Sequence, residues 1–213
     1  MLVCSIPSKV FVAVSGGIDS IAAAFYLSKL KHHDIHVLHF NHNYQECNIR
    51  MEESVRRFCV AMDLPYSFGT TSSILKTETE LRRERMNFFF NNEQNRTVIT
   101  AHHLGDFVES YLLNCFRGNS NHFTISFVSD FGNGNQILHP FLFKNKSFFE
   151  TIVEKNNLKQ YVVDDPTNNL TKGSRRNMIR HRILPILSEE QVGIEKICRK
   201  MILKKLKNEH LCS

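Results

Sequence analysis

Tryptophan is absent from this chain of 213 residues, proline occurs five times and glycine nine. So few chain-breaking residues make any pair of adjacent glycines worth explaining. The six cysteines, Cys4, Cys47, Cys59, Cys115, Cys198 and Cys212, contain no C-x-x-C pair. That scatter argues against a disulfide framework or a closed zinc site and fits a reduced, intracellular protein. No uninterrupted apolar run approaches the length of a bilayer-crossing helix, so no membrane partner is expected. No internal repeat is found.

What is present is an ordinary globular composition, 42% apolar, with a formal charge of +6 and a pI near 9.0. The length suits one large domain, or one with a small appendage. The mild basic excess favours a polyanionic partner without identifying it.

Residues 10–14 are β-branched and aromatic, and after the N-cap types Asp19 and Ser20 the apolar Ile21, Ala24, Phe25 and Leu27 recur at helical spacing. The same alternation continues along the chain. Residues 35–44 read as a strand and 49–62 as a helix, then "PYSFGTT" as a weaker strand. A capping box of Thr77 and Glu80 predicts a helix starting there. "RTVITAHH" reads as a strand, Asp106 to Arg117 as a helix, and 118–135 as a long loop around "FTISFV". "QILHPFL" is a short last strand, followed by a helix that Ser147 and Glu150 are expected to cap. Strand-helix alternation predicts an α/β fold, a doubly wound parallel sheet of about five strands. From about residue 156 the chain turns polar and then basic, so residues 1–145 are expected to form the main domain and 146–213 a helical extension with a basic tail. Residues 189–207 read as an amphipathic helix docked on the core, or as a rail for a nucleic-acid backbone.

The adjacent glycines fall in "VFVAVSGGIDS", between the first strand and the first helix. There they let backbone N–H groups and the positive end of the helix converge on one point, a geometry suited to phosphate. The polar clusters 41–43 and 102–103 end other strands, where ligands of such sheets gather. Neither a Walker A end nor G-x-G-x-x-G occurs at this turn.

"SGGIDS" matches S-G-G-x-D-S and resembles the loop of ATP pyrophosphatases that release AMP and pyrophosphate. "HFNHNYQ", "AHHLGDFVES", "NCFRG", "HPFL" and "DDPTNN…RRNMIRHRILPIL" follow in the order seen in tRNA(Ile)-lysidine synthases. The resemblance runs from Val10 to about Leu187. It implies an enzyme that uses ATP to activate C2 of the wobble cytidine, position 34, in the CAU anticodon of a tRNA(Ile). L-Lysine then replaces AMP and lysidine results. It implies that Ser15, Gly16, Gly17, Ile18, Asp19, Ser20 and His102 bind ATP, with Asp19 also placing Mg2+. Asp106 and Glu109, three apart on one helix face, are implied to bind lysine and take its proton. Arg82 is implied to steady phosphate charge, with Arg85 beside it. Arg176, Asn177 and Arg180, matching the family's RN-x-x-R, are implied to meet lysine, AMP or tRNA.

Outside that resemblance, Asp106 and Glu109 also fit plain N-terminal helix charges. His102 and His103 fit hydrogen bonding near a nucleotide better than zinc. His39 and His42 suit either core packing or a nucleotide edge. Three residues depart from the family pattern: Gly105 for an aspartate, Ser110 for a threonine and Met86 for a tyrosine. Longer members carry further C-terminal domains that hold tRNA. Two other readings are a PP-loop tRNA thiolase and a non-catalytic RNA-binding protein on a decayed nucleotide fold. The start close to the first strand and the Asn-, Lys-, Phe- and Ile-rich composition lead to an expected location in the plastid stroma rather than a bacterial cytoplasm.

Overall fold

The structure is a computed structural model that describes residues 5–42, 46–71, 77–119, 125–164 and 175–208. Its frame is a six-stranded sheet in the order β3-β2-β1-β4-β6-β5. The strands are β1 (Lys9–Ala13), β2 (Asp34–Asn41), β3 (Tyr66–Thr70), β4 (Thr97–Ile99), β5 (Val128–Asp130) and β6 (Gln136–Leu138). All neighbours pair in parallel except β5, which runs antiparallel to β6. Central strands covered on both faces read as near-continuous apolar runs, as β1 and β4 do.

The helices are α1 (Ile18–Ser28), α2 (Glu46–Met62), α3 (Glu78–Phe90), α4 (Leu104–Cys115) and α5 (Lys146–Lys155). A 3-10 turn, Leu158–Tyr161, follows α5. Towards the end lie α6 (Arg175–Met178), a π-helical turn (Ile179–Ile183), α7 (Leu184–Glu189) and α8 (Ile194–Asn208). The core on one sheet face joins Val10, Val12 and Val37 to Ile21, Leu27, Phe58 and Phe149. Ala22, Ala23 and Ala24 are wholly buried there, so α1 lies close to its neighbours. On the other face Phe89 and Phe90 of α3 meet Leu38, Val98 and Ile137. A third cluster docks α8 on α4 through Cys198, Ile202 and Leu206 against Leu104, Phe107 and Val108.

Four expectations change. The loop expected over 118–135 contains edge strand β5, and 120–124 of it lie outside the described residues. Helix α4 begins at Leu104 rather than Asp106 because His103 caps it. Helix α5 follows Asn145 with no side-chain cap, so Ser147 and Glu150 do not close its start. Val192, ahead of α8, and Ile197 on it are exposed, while Cys198, Ile202 and Leu206 form the buried stripe. The division expected after residue 145 falls in front of α5, whose Phe149 and Val153 belong to the first core. Residues 43–45 and 165–170, within two of the quoted motifs, and Cys4 and Cys212 lie outside the described residues.

Strand order reverses between β1 and β4, so the chain leaves their carboxyl ends in opposite directions. A crevice at such a switch point is where open α/β sheets take ligands. The glycine turn follows β1, and His102 to Asp106 follow β4.

Candidate active site

Gly16 has φ +97, and a Cβ there would lie 3.2 Å from that of Met51, so only glycine fits. Gly17 is different. Its φ is −76, and an added Cβ would meet nothing nearer than Ser15 Oγ at 3.6 Å. The fold itself does not demand glycine at 17, whereas close approach by a ligand would.

The turn is braced from within. Ser15 N–H donates to Ser20 Oγ at 3.1 Å, and the Ser20 hydroxyl donates to Gly17 O at 2.9 Å. Val163 N–H donates to Gly16 O at 3.0 Å, pinning the loop from outside. Gly17 gives α1 no side-chain cap, whereas α3 and α4 close their starts with capping boxes. An uncapped helix start leaves N–H groups and the dipole's positive end available to an anion.

Asp19, in the first turn of α1, has a buried Oδ1 with no partner. Burial is the main cause of its raised pKa, with the Asp106 and Glu150 charges adding while His103 and Lys146 oppose them. A desolvated carboxylate oxygen without a donor is neutralised either by a proton or by a bound cation.

Across the crevice, Gly105 N–H donates to His103 Nδ1 at 2.9 Å, and His103 N–H donates to Asp106 Oδ2 at 2.9 Å. Accepting at Nδ1 puts the ring proton on Nε2. That nitrogen lies 3.8 Å from Asp19 Oδ2 and 3.8 Å from Asp106 Oδ2. His103 thus stands between the carboxylates of α1 and α4 as a helix cap. Gly105 makes this possible, because a Cβ there would lie 2.7 Å from His103 Cε1.

Glu109 is buried and engaged. Arg180 Nε donates to its Oε1 at 2.6 Å and Nη2 to its Oε2 at 2.9 Å. The hydrogen bonds to Glu109 raise the Arg180 pKa, outweighing burial. Arg176 Nη2 donates to Ser110 Oγ at 3.0 Å. The two arginines are four apart, on either side of the start of the π turn. Pro185 lacks the N–H that would reach the carbonyl of His181, and widened helical turns accommodate such gaps. Asn177 is half-buried between them.

His102 pairs with Thr100 Oγ1 through Nδ1 at 2.7 Å and lies 5.0 Å from the ring of His139. Burial lowers its pKa, with Asp106 opposing and Arg176 and Arg85 reinforcing. His139 donates from Nδ1 to Ser126 O at 2.7 Å, and burial takes its pKa down to about 4. On α3, Arg82 is exposed, while Arg85 is half-buried and its charge bears on His42 and His102. His39 Nδ1 donates to Val14 O at 2.8 Å, a core role, while its Nε2 and His42 Nδ1 are buried without partners.

The structure therefore gathers Ser15 to Ser20, His102, Asp106, Glu109, Arg176 and Arg180 around one crevice. His139 joins it without having been singled out as a site residue, and Arg85, named beside Arg82 in the sequence, joins it as well. His139 lies in "HPFL", and a histidine next to proline at a strand end is the signal that marks it. Among the described residues, no three His, Cys, Asp or Glu side chains group as a metal cage.

Fold and loop together define an α/β domain of the nucleotide-binding class, with a glycine turn at its switch point. Residues 4–187 match the model of the PP-loop domain, and the chain belongs to that family. It is 30% identical over 195 residues to a tRNA(Ile)-lysidine synthase of Buchnera aphidicola subsp. Schizaphis graminum, covering 88% of this chain and 43% of that one. Against the tRNA(Ile)-lysidine synthase of Thermotoga maritima it is 30% identical over 199 residues, 87% and 47% of the two chains. The chain spans less than half the length of these curated relatives. Among solved structures, the U34-tRNA thiolase NcsA from Methanococcus maripaludis superposes with TM-score 0.71 at 15% identity, over 93% of this chain and 72% of that one. An NH3-dependent NAD synthetase from Campylobacter jejuni superposes with TM-score 0.51 at 16% identity, over 96% and 88%. Both likenesses speak for the fold alone.

Proposed function

We propose that the protein joins L-lysine to C2 of the wobble cytidine, position 34, in the CAU anticodon of a tRNA(Ile), consuming ATP and giving lysidine, AMP and pyrophosphate. The supporting observation is the single crevice in which His103 Nε2 lies 3.8 Å from both Asp19 and Asp106. A phosphate turn and a carboxylate for an amino-acid cation then share one space. The similarity to lysidine synthases over most of the chain supports the same reading.

In the first step the C2 oxygen attacks the α-phosphorus of ATP and pyrophosphate leaves. The turn at 15–20 and the open start of α1 hold the phosphates. Asp19, with its unpartnered Oδ1, would hold Mg2+ alongside phosphate oxygens and water, a donor set that suits the ion. Bound there, the ion supplies positive charge against the phosphate oxygens. In the second step the ε-amine of lysine, having lost a proton, attacks C2, and the bond to AMP breaks. Asp106 is the carboxylate placed to hold the ammonium and accept that proton. Glu109 acts through Arg180, which it orients toward the crevice, where Arg176 adds a second guanidinium suited to a carboxylate or phosphate.

The thiolase reading requires reactive thiols near the crevice. Of the four cysteines among the described residues, burial pushes the thiols of Cys59 and Cys198 up to about 12, which makes these two poor nucleophiles. The decisive assay is incubation of the protein with ATP, magnesium, labelled lysine and a CAU-anticodon tRNA transcript. Label at the wobble cytidine supports the proposal. Pyrophosphate release without lysine transfer would favour another base activation, and RNA binding without ATP turnover a non-catalytic module. The plastid stroma suggested by composition belongs to this proposal and is tested by localising the protein.

A further inference from the structure

Beside α5 runs a surface groove of about 530 Å³ whose lining includes Lys144, Asn145, Phe148, Thr151, Lys155 and Arg199. Its ten lining residues carry three cations and no carboxylate. A second groove on the same helix, of about 440 Å³, is mixed in charge, with Glu154 and Lys159 both in its lining. The first groove is thus a cationic strip and not merely part of a basic surface.

Its walls are fixed. Arg199 of α8 donates to Phe143 O at 2.8 Å and also to the side chain of Asn145, which ties α8 to the start of α5. The Lys144 ammonium lies 4.5 Å above the Phe148 ring, which holds it at the rim. On α8, Lys196 and Lys200 lie within one turn of Arg199 and are exposed, with Glu195 the one carboxylate of that turn. The end of the groove at Lys144 and Asn145 adjoins the crevice: Leu104 N–H, at the start of α4, donates to Lys144 O at 3.0 Å, and the charge of Lys146, beside the lining, bears on Asp19. Ten residues of α5 give the groove a length of about 15 Å. That is too long for one phosphate and suits several in a row.

We infer that this groove, with the adjoining turn of α8, seats the phosphate backbone of the RNA whose base enters the crevice. The inference rests on the proposed function for the identity of that RNA. Lys144, Lys155 and Lys200 gain affinity by releasing counterions and read no sequence. Substrate RNA is thereby held by the chain's own α5–α8 face beside the phosphate turn.

The test is filter binding of an unmodified CAU tRNA transcript at several salt concentrations, without ATP or lysine. The double variant Lys144→Gln, Lys155→Gln is compared with a control, Lys9→Gln, Lys31→Gln, which removes equal charge from exposed residues outside the groove's lining. The groove variant should bind about ten-fold more weakly at 0.1 M salt, and its salt slope should fall by about two. The control should shift far less. As a second measurement on the unaltered protein, tRNA should protect Lys144 and Lys155 from an amine-acylating reagent. Equal binding by both variants, or no protection, overturns the groove and leaves the lysine-transfer reading intact. Weakened binding with no lysine transfer by the unaltered protein keeps the groove and overturns that reading. Failure of the unaltered protein to bind the transcript overturns both.

Discussion

Arg180 grips Glu109 with two nitrogens, Nε at 2.6 Å and Nη2 at 2.9 Å, across 71 residues of sequence. The pair fastens the π turn to α4 and keeps Glu109 from being an isolated buried charge. Truncating one partner strands the other. Arg180→Ala should cost about 3 kcal/mol in urea unfolding, and Glu109→Leu with Arg180→Met should recover most of it. An Arg180→Ala protein as stable as the parent would mean that the pair contributes nothing.

Gly105 and His103 are coupled by shape. Replacing a helical glycine by alanine ordinarily stabilises by about 0.5–1 kcal/mol. Here the added Cβ would lie 2.7 Å from His103 Cε1, so the ring must leave its capping place. A lost cap costs about 1 kcal/mol. Gly105→Ala should therefore be neutral or destabilising alone, yet stabilising in a His103→Ala background. Thermal unfolding of the four proteins checks that reversal of sign.

The glycine turn and the parallel alternation were legible because both are local patterns, and Gly16 occupies a conformation other residues avoid. Strand β5 was not, since its three residues sit in an Asn- and Gly-rich stretch and pair only with β6. The His103 cap was hidden because histidine is an unusual cap and its ring position depends on a missing Cβ two residues on. The resemblance implies Glu109 as a lysine ligand beside Asp106, whereas its partner Arg180 comes from a distant helix. Likewise Arg82 and Arg85 look alike in sequence. Only the way α3 faces the sheet leaves one exposed and turns the other toward His42 and His102.

His139 gives the fold a defined response to acid. Burial lowers its pKa to about 4, while an unfolded histidine titrates near 6.5. Between those values the unfolded chain binds a proton that the folded one refuses. Its contribution to stability is therefore whole above pH 6.5 and is lost as pH falls towards 4. His36, His39, His42 and His102 shift in the same direction. In urea unfolding across this range, His139→Gln should reduce proton uptake by about one. An unchanged pH slope would show that His139 titrates alike in both states.

Asp106 and Asp19 share His103 yet should fail in different ways. Asp106 accepts the His103 N–H at 2.9 Å, and the amide oxygen of asparagine can keep that bond, so Asp106→Asn should fold normally. What it loses is the charge that, in the proposed function, holds an ammonium and takes its proton. Such groups contribute about 10²- to 10⁴-fold to rate. Lysine transfer should fall by at least about 100-fold while ATP still binds. Asp19→Asn should instead weaken the magnesium-dependent binding of ATP itself, because its Oδ1 is the buried oxygen without a partner. Its unfolding midpoint at pH 7 should rise, since a carboxylate whose pKa is raised by burial destabilises the fold once ionised. That gain should disappear below the ordinary aspartate range, where the carboxyl is protonated in both states. Calorimetric ATP titration beside the lysine-transfer assay separates the two residues, and normal transfer by Asp106→Asn would remove it from the lysine site.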